Sequence, residues 1–273
     1  MRRHQSGDVV WLSHDLFYRR RGVTNVVSTR LGGVSRKRYH ALNLGLRVGD
    51  DEVAVLENRA ILCRAAAIDP LAVVTARQVH GTRVAVVTAA ERGRGAVSSA
   101  ESIPATDALV TGDADVPLMI ITADCVAVSL YDPRRHAAGI AHASWRGTLG
   151  RIAQKTIRVM EERFGTDPAH LLAAIGPSIG PCCYEVGSDV VEPFREEFPG
   201  EARSILASPR TGKYHLDLWT ANELQLLEAG VAPSNLERAD LCTGCRTDLF
   251  YSYRKEKKKT GHMGTILMLH ADG

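Results

Sequence analysis

No stretch of the 273 residues is apolar for the length of a membrane span, and no helix-crossing segment is expected. The N-terminal "MRRHQSGDVVWLSHDLFYRRR" carries basic residues but neither an uninterrupted apolar segment nor a small-residue cleavage site, so no signal peptide is expected there. These absences point to the cytoplasm and away from membrane partners. Charge of one sign is also scarce: 34 Lys and Arg against 31 Asp and Glu leave a net +3, too little to imply a polyanionic partner. The one basic run, "RKEKKK" from Arg254 to Lys259, has no aromatic or helical stripe extending it, and it reads as a solvated loop rather than a nucleic-acid contact. Internal repeats, a Walker A loop and a G-x-G-x-x-G turn are missing, which removes the usual nucleotide cradles. None of the ten histidines forms an H-x-H pair, as a laccase with several coppers requires. The zinc-deaminase signature, H-x-E with P-C-x-x-C, is absent as well.

What remains is an ordinary globular composition, 45% hydrophobic and 24% charged, long enough to bury a core without staples. No linker divides the chain; the Ser, Gly and Ala residues of "GRGAVSSAES" read as a surface loop. Six cysteines in a reducing compartment point to metal binding or catalysis rather than to disulfides. "DDEVAVLENRAILCRAAAI" predicts a helix capped by Asp50 or Asp51, "GRIAQKTIRVMEERFG" a second, and Leu218 to Ala229 a third, entered at Asp217 and stopped by Gly230. "AVVTARQV" and "TRVAVVT" predict two strands joined by a tight turn that carries His80 and Gly81. "VPLMIITAD", "VAVSLYD" and "HAAGIAHA" predict three more.

The segment "AGIAHASWRGT" is a strand that breaks off into His142, Trp145 and Arg146. If "DPRR" forms the loop before it, Tyr131 faces His136 and Cys125 faces His142, which places a thiol and an imidazole on one face. Such a pair is either two metal ligands or a cysteine nucleophile with its base. "GPSIG" matches the G-x-S-x-G elbow of serine hydrolases, with Ser178 as nucleophile, although Pro181 argues for a loop where that elbow needs a helix. "LCTGC" has C-x-x-C spacing. "PCC" would have to complete a structural zinc site from afar, and simple packing is the expectation for these four cysteines.

The segments "STRLGGVS", "HALNLGLRVGDD", "LENRA", "RQVHGTRV", "TDALVT", "TADCVAV", "AHASWRGT", "IGPSIGPCCYEVG", "KYHLDL", "LCTGC" and "YSYR" followed by "TGHMG" resemble, in order and over nearly the whole chain, the laccase-like multicopper polyphenol oxidoreductase domain family. That family is also described as a purine nucleoside phosphorylase and peptidoglycan editing factor family. The resemblance implies one α+β domain over residues 1–273 with α/β/β/α layers. It also implies a zinc ion held by His80 of "QVHG", Cys125 of "TADC" and His142 of the His-Trp-Arg motif. The chain departs from the family at Ser144, where glycine is usual, and at His262, where arginine is frequent.

Two imidazoles and a thiolate suit zinc and leave a fourth position open, the pattern of a catalytic site. One zinc per chain is expected, with copper as the alternative that the family name suggests. The resemblance implies phosphorolysis of adenosine, inosine or guanosine, with methylthioadenosine as a further candidate substrate, and deamination of adenosine, carried out by a monomer on a small-molecule nucleoside and phosphate. Asp124 and then Asp107 are the candidate proton carriers, with Asp124 equally readable as a structural acceptor that points away from Cys125. Arg146, Arg30 and Asn43 are the candidates for phosphate and ribose, with Arg146 first. The alternatives are a peptidoglycan-precursor editing hydrolase, a cysteine or serine hydrolase, and a copper phenol oxidase.

Overall fold

The computed structural model describes residues 1–207 and 213–271. In chain order its strands are β1 (Arg2–Ser6), β2 (Val9–Ser13), β3 (Val23–Ser28), β4 (Val74–Thr75), β5 (Val84–Val86), β6 (Ala108–Thr111), β7 (Leu118–Thr122), β8 (Val126–Asp132), β9 (Ala137–Ala143), β10 (Leu172–Ile175), β11 (Glu185–Val186), β12 (Leu206–Ala207), β13 (Tyr214–Leu216), β14 (Leu236–Arg238) and β15 (Met263–Leu269). The helices are α1 (Asp15–Tyr18), α2 (Glu52–Ala65), α3 (Trp145–Leu149), α4 (Ile152–Phe164), α5 (Ser188–Glu197), α6 (Ala202–Ile205) and α7 (Leu218–Glu228). The first sheet runs β1-β2-β3-β15-β7-β4 and the second β14-β10-β8-β9-β6-β5; β11-β13-β12 form a small third.

The two large sheets face each other. Val74, Leu118 and Ile120 of the first meet Leu109 and Ile140 of the second, and Leu267 and Leu269 meet Tyr131, Ala138 and Leu172. On the outer side of the first sheet, Leu62 and Cys63 of α2 cover Val26, Met119 and Ile266. On the outer side of the second, Ile157 and Met160 of α4, Phe194 of α5 and Leu226 of α7 cover Val110, Val128 and Ala141. The layers are therefore α/β/β/α, as expected, and each fully buried aliphatic side chain contributes about 1.5–3 kcal/mol. The three expected helices form where their spacing puts them. Asp51 caps α2 by accepting from the Val53 N–H, Asp217 caps α7 by accepting from Thr220, and left-handed Gly230 follows the end of α7.

Two pairings differ from expectation. β4 and β5 are not a hairpin: β4 runs parallel to β7 in the first sheet and β5 parallel to β6 in the second, so the His80 turn crosses between layers. The backbone donors that a hairpin ladder would use go instead to a side chain, because Val79, His80 and Gly81 all donate to the Asp107 carboxylate. In the β8–β9 hairpin the closing pair is Asp132 with Ala137, which puts Ala127, not Cys125, opposite His142. Asp132 Oδ1 accepts from the N–H groups of Arg134 and Arg135, and His136 takes a left-handed conformation at φ 51°, so the loop spans Pro133 to His136. The shift of two residues keeps Cys125 and His142 on the same face, since side chains alternate with period two.

Candidate metal centre

In β9, Ala137, Ala141 and Ala143 pack toward the helices while Ala138 and Ile140 pack toward the other sheet. Alternation therefore turns His142 inward, into the gap at the edge where the two sheets meet. Cys125 lies in the connection from β7 to β8, which passes from the first sheet to the second. His80 lies in the crossing from β4 to β5, with φ 60°. The three ligand atoms all come within 4.8 Å of one another. The His80 and His142 rings meet edge to face, 4.9 Å between centroids at 76°.

Asp107 organises the group. Its carboxylate, fully buried, accepts from the backbone N–H groups of Val79, His80 (3.0 Å) and Gly81 (2.8 Å), and its Oδ1 stands 2.8 Å from His142 Nδ1. Burial alone would raise the Asp107 pKa, but these donors, His142 first, hold it below the ordinary carboxylate value. With Nδ1 engaged, His142 is left to present Nε2. Burial likewise would raise the Cys125 thiol and lower His142. The mutual attraction of the two, with Asp107 behind the imidazole, reverses both directions and brings Cys125 down to about 7 and His142 up to about 9. Gln78 fixes the other end of the His80 turn, with its amide bonded to both the N–H and the C=O of Ile121 on β7.

The remaining sequence candidates fall into two groups. Arg146 is exposed at the start of α3, its guanidinium 4.2 Å above the Trp145 ring, directly after the strand that carries His142. Asp124, at φ 85°, turns its carboxylate into the protein, where Oδ1 accepts from Thr243 Oγ1 at 2.6 Å and Oδ2 from the Arg254 N–H at 2.7 Å. Arg30 donates to the carbonyls of His40 and Thr247 and to Glu256, and lies over the Tyr251 ring. Asn43 is fully buried and brackets a loop, accepting from Gly45 and His262 and donating to Asp50. Arg30 and Asn43 thus have their polar atoms committed to the chain's own groups.

Two further residues lie close enough to the centre to feel its charges. Tyr184 is pushed up to about 12 by burial and then by the negative charge of Cys125, and Arg254 lies 5.2 Å over its ring. Its only trace in the sequence is its place in "CCYEVG". His262 is pushed down to about 4 by burial and by the charges of His142 and His80. The rival serine is buried, and its Oγ accepts from Trp219 Nε1 at 2.6 Å. No helix begins directly after Ser178, whose segment instead bridges in parallel to Cys242.

The chain belongs to the multi-copper polyphenol oxidoreductase laccase family, whose model matches residues 24–270. It is 40% identical over 242 residues to a protein of Geobacillus stearothermophilus named purine nucleoside phosphorylase YlmD, covering 89% of this chain and 88% of that one. It is 36% identical over 234 residues to a protein of an unknown prokaryotic organism named adenosine deaminase RL5, covering 86% and 89%. The crystal structure of YlmD from Geobacillus stearothermophilus superposes with a TM-score of 0.92 at 36% identity, over 98% of each chain.

Proposed function

We propose that this protein is a zinc enzyme of purine nucleosides, which cleaves adenosine, inosine, guanosine or methylthioadenosine with phosphate and deaminates adenosine to inosine. The observation that carries this reading is the His80, Cys125 and His142 cluster with Asp107 behind His142. Two imidazoles and one thiolate, with a carboxylate holding the far ring nitrogen, are a donor set that fits zinc. The same set would accept a single copper, but among the described residues the other group of three or more ligating side chains is made of cysteines alone, so a histidine-rich array for several coppers is missing. The names of the YlmD and RL5 relatives support the substrate class.

When bound, zinc supplies Lewis acidity and acidifies a water molecule. The chain's own residues do the rest. Asp107 keeps a proton on His142 Nδ1 and holds the His80 turn rigid; its lowered pKa suits an anchor and not a proton carrier. Arg146, charged and exposed, meets the phosphate or ribose. Tyr184, kept protonated by burial and by the charge of Cys125, is our candidate donor to the base. Asp124 braces the loop under Cys125, and Arg30 and Asn43 hold the surrounding loops in place. The reading takes residues 1–273 as one domain that works as a monomer in the cytoplasm on small molecules.

The test is to incubate zinc-loaded protein with inosine and with adenosine, each with and without phosphate, and to identify the products. Expected are hypoxanthine and ribose 1-phosphate from inosine only when phosphate is present, and inosine from adenosine without it. Absence of turnover of both nucleosides under all four conditions would sink the proposal.

A further inference from the structure

The fold joins two cysteine pairs that lie far apart in sequence. Cys182 and Cys183 sit in the loop after β10, Cys242 and Cys245 in the loop after β14, and their four sulfurs all lie within 4.8 Å of one another. The expectation of simple packing holds for Cys242, buried in the core with Cys183 against it, but not for Cys182 and Cys245, which are exposed whereas a cysteine used for packing is among the most buried of residue types. Cys182 and Cys245, 3.4 Å apart, and Cys183 and Cys245, 3.5 Å apart, are too far from one another for a disulfide bond of about 2.05 Å, and all four cysteines are free. They lie instead near the spacing of about 3.8 Å that four thiolates take around one zinc at about 2.3 Å. We propose that Cys182, Cys183, Cys242 and Cys245 form a second metal centre, a tetrathiolate site for one structural zinc ion, separate from the His80, Cys125 and His142 cluster.

Three observations support it. First, the turn between Cys242 and Cys245 is shaped for a ligand knuckle: a Cβ on Gly244 would come within 3.0 Å of Cys183 Cβ and 3.2 Å of its sulfur, so glycine is what lets the second pair approach. Second, the Gly180 N–H donates to Cys242 Sγ at 3.2 Å, the kind of backbone donor that supports a metal-bound thiolate. Third, the basic run that found no nucleic-acid role begins beside the cluster, with Lys255 Cγ 3.4 Å from the same position on Gly244. A zinc held by four thiolates carries a net charge of −2, which cations at the start of that run would offset.

The clip would have a definite effect on the fold. The two cysteine loops already pair through Ser178 and its neighbours: Thr243 donates to the Ser178 carbonyl and Ser178 to that of Leu241. The same loops reach Asp124, the residue before Cys125, through Thr243 and the Ile179 N–H. A metal bound there would staple the wall behind the first centre without touching substrate.

The test counts metal. Wild-type protein and the His80→Ala/Cys125→Ser double variant, which dismantles the first centre, are prepared in zinc with a thiol reductant, dialysed and analysed for metals. Two zinc ions per wild-type chain and one per double-variant chain are expected. Cobalt loaded into the double variant is expected to give the intense sulfur-to-metal absorption and tetrahedral visible bands of four thiolates. Cys242→Ser/Cys245→Ser is expected to keep only the zinc of the first centre, and the cobalt spectrum of the double variant decides the matter should that protein fail to fold. A double variant that holds no zinc, that holds iron instead, or whose intact mass shows a disulfide despite the reductant would overturn the proposal.

Discussion

The Asp107 carboxylate receives donors from Val79, His80, Gly81 and His142, so one side chain positions two of the three members of the candidate metal centre. Asp107→Asn would replace one accepting oxygen by an NH2 group, which must then face the backbone N–H groups of the His80 turn, donor against donor. Metal affinity measured against a competing chelator is expected to fall about 10–100-fold, the usual cost of losing such a support; unchanged affinity would show that Asp107 does not position the ligands. Ser178→Ala makes the opposite prediction. The change removes the acceptor of a buried indole N–H, so stability is expected to drop by about 1–3 kcal/mol while turnover per folded molecule stays near wild type. Loss of turnover in folded protein would restore the serine hydrolase. At this scale the three clustered side chains were legible, Cys125 and His142 as strand-end residues in a register read two residues off, and His80 through the family resemblance alone. The role of Asp107 was not, because its partners come from a turn 26 to 28 residues earlier and a strand 35 residues later, separations that spacing does not encode.

Elements were legible where their causes are local. The caps and apolar spacing of α2, α4 and α7 lie within one stretch of chain, and those helices stand where they were read. Pairings were less so: the choice of Asp132 and Ala137 as the closing pair depends on a side chain capping its own turn, and the separation of β4 from β5 depends on Asp107. Glu237, on the edge strand β14, shows how such distant ties hold elements together. Its carboxylate accepts from the N–H groups of Asp15 and Leu16 at the start of α1 and meets His14 Nδ1 at 3.2 Å, fastening α1 to the edge of the second sheet. Burial would raise the Glu237 pKa, but His14 and those N–H groups bring it down from 4.5 to about 2. A depressed carboxylate gives stability that is complete above its unfolded value and lost as pH falls toward its folded value. Wild type is therefore expected to exceed Glu237→Gln by about 1–2 kcal/mol at pH 7, once solvent screening is allowed for, with the gap closing between about pH 4.5 and 2. Urea unfolding at a series of pH values measures it, and a gap that does not change with pH would refute the assignment.

At the scale of the whole molecule, the layers follow from the alternation of apolar residues along buried strands, and no helix among the described residues is long and apolar enough to cross a membrane. The strand order was not legible, because it is set by contacts between the two ends of the chain. In the first sheet, β15 lies between β3 and β7, so the last strand in sequence is a central one in space. During synthesis the β1-β2-β3 and β7-β4 parts of that sheet have no common neighbour until residues 263–269 have left the ribosome. The strands of the second sheet are all available once residue 238 has emerged. The nascent chain thus carries an exposed apolar face through most of its translation, and is expected to depend on chaperones until its final strand slots into place.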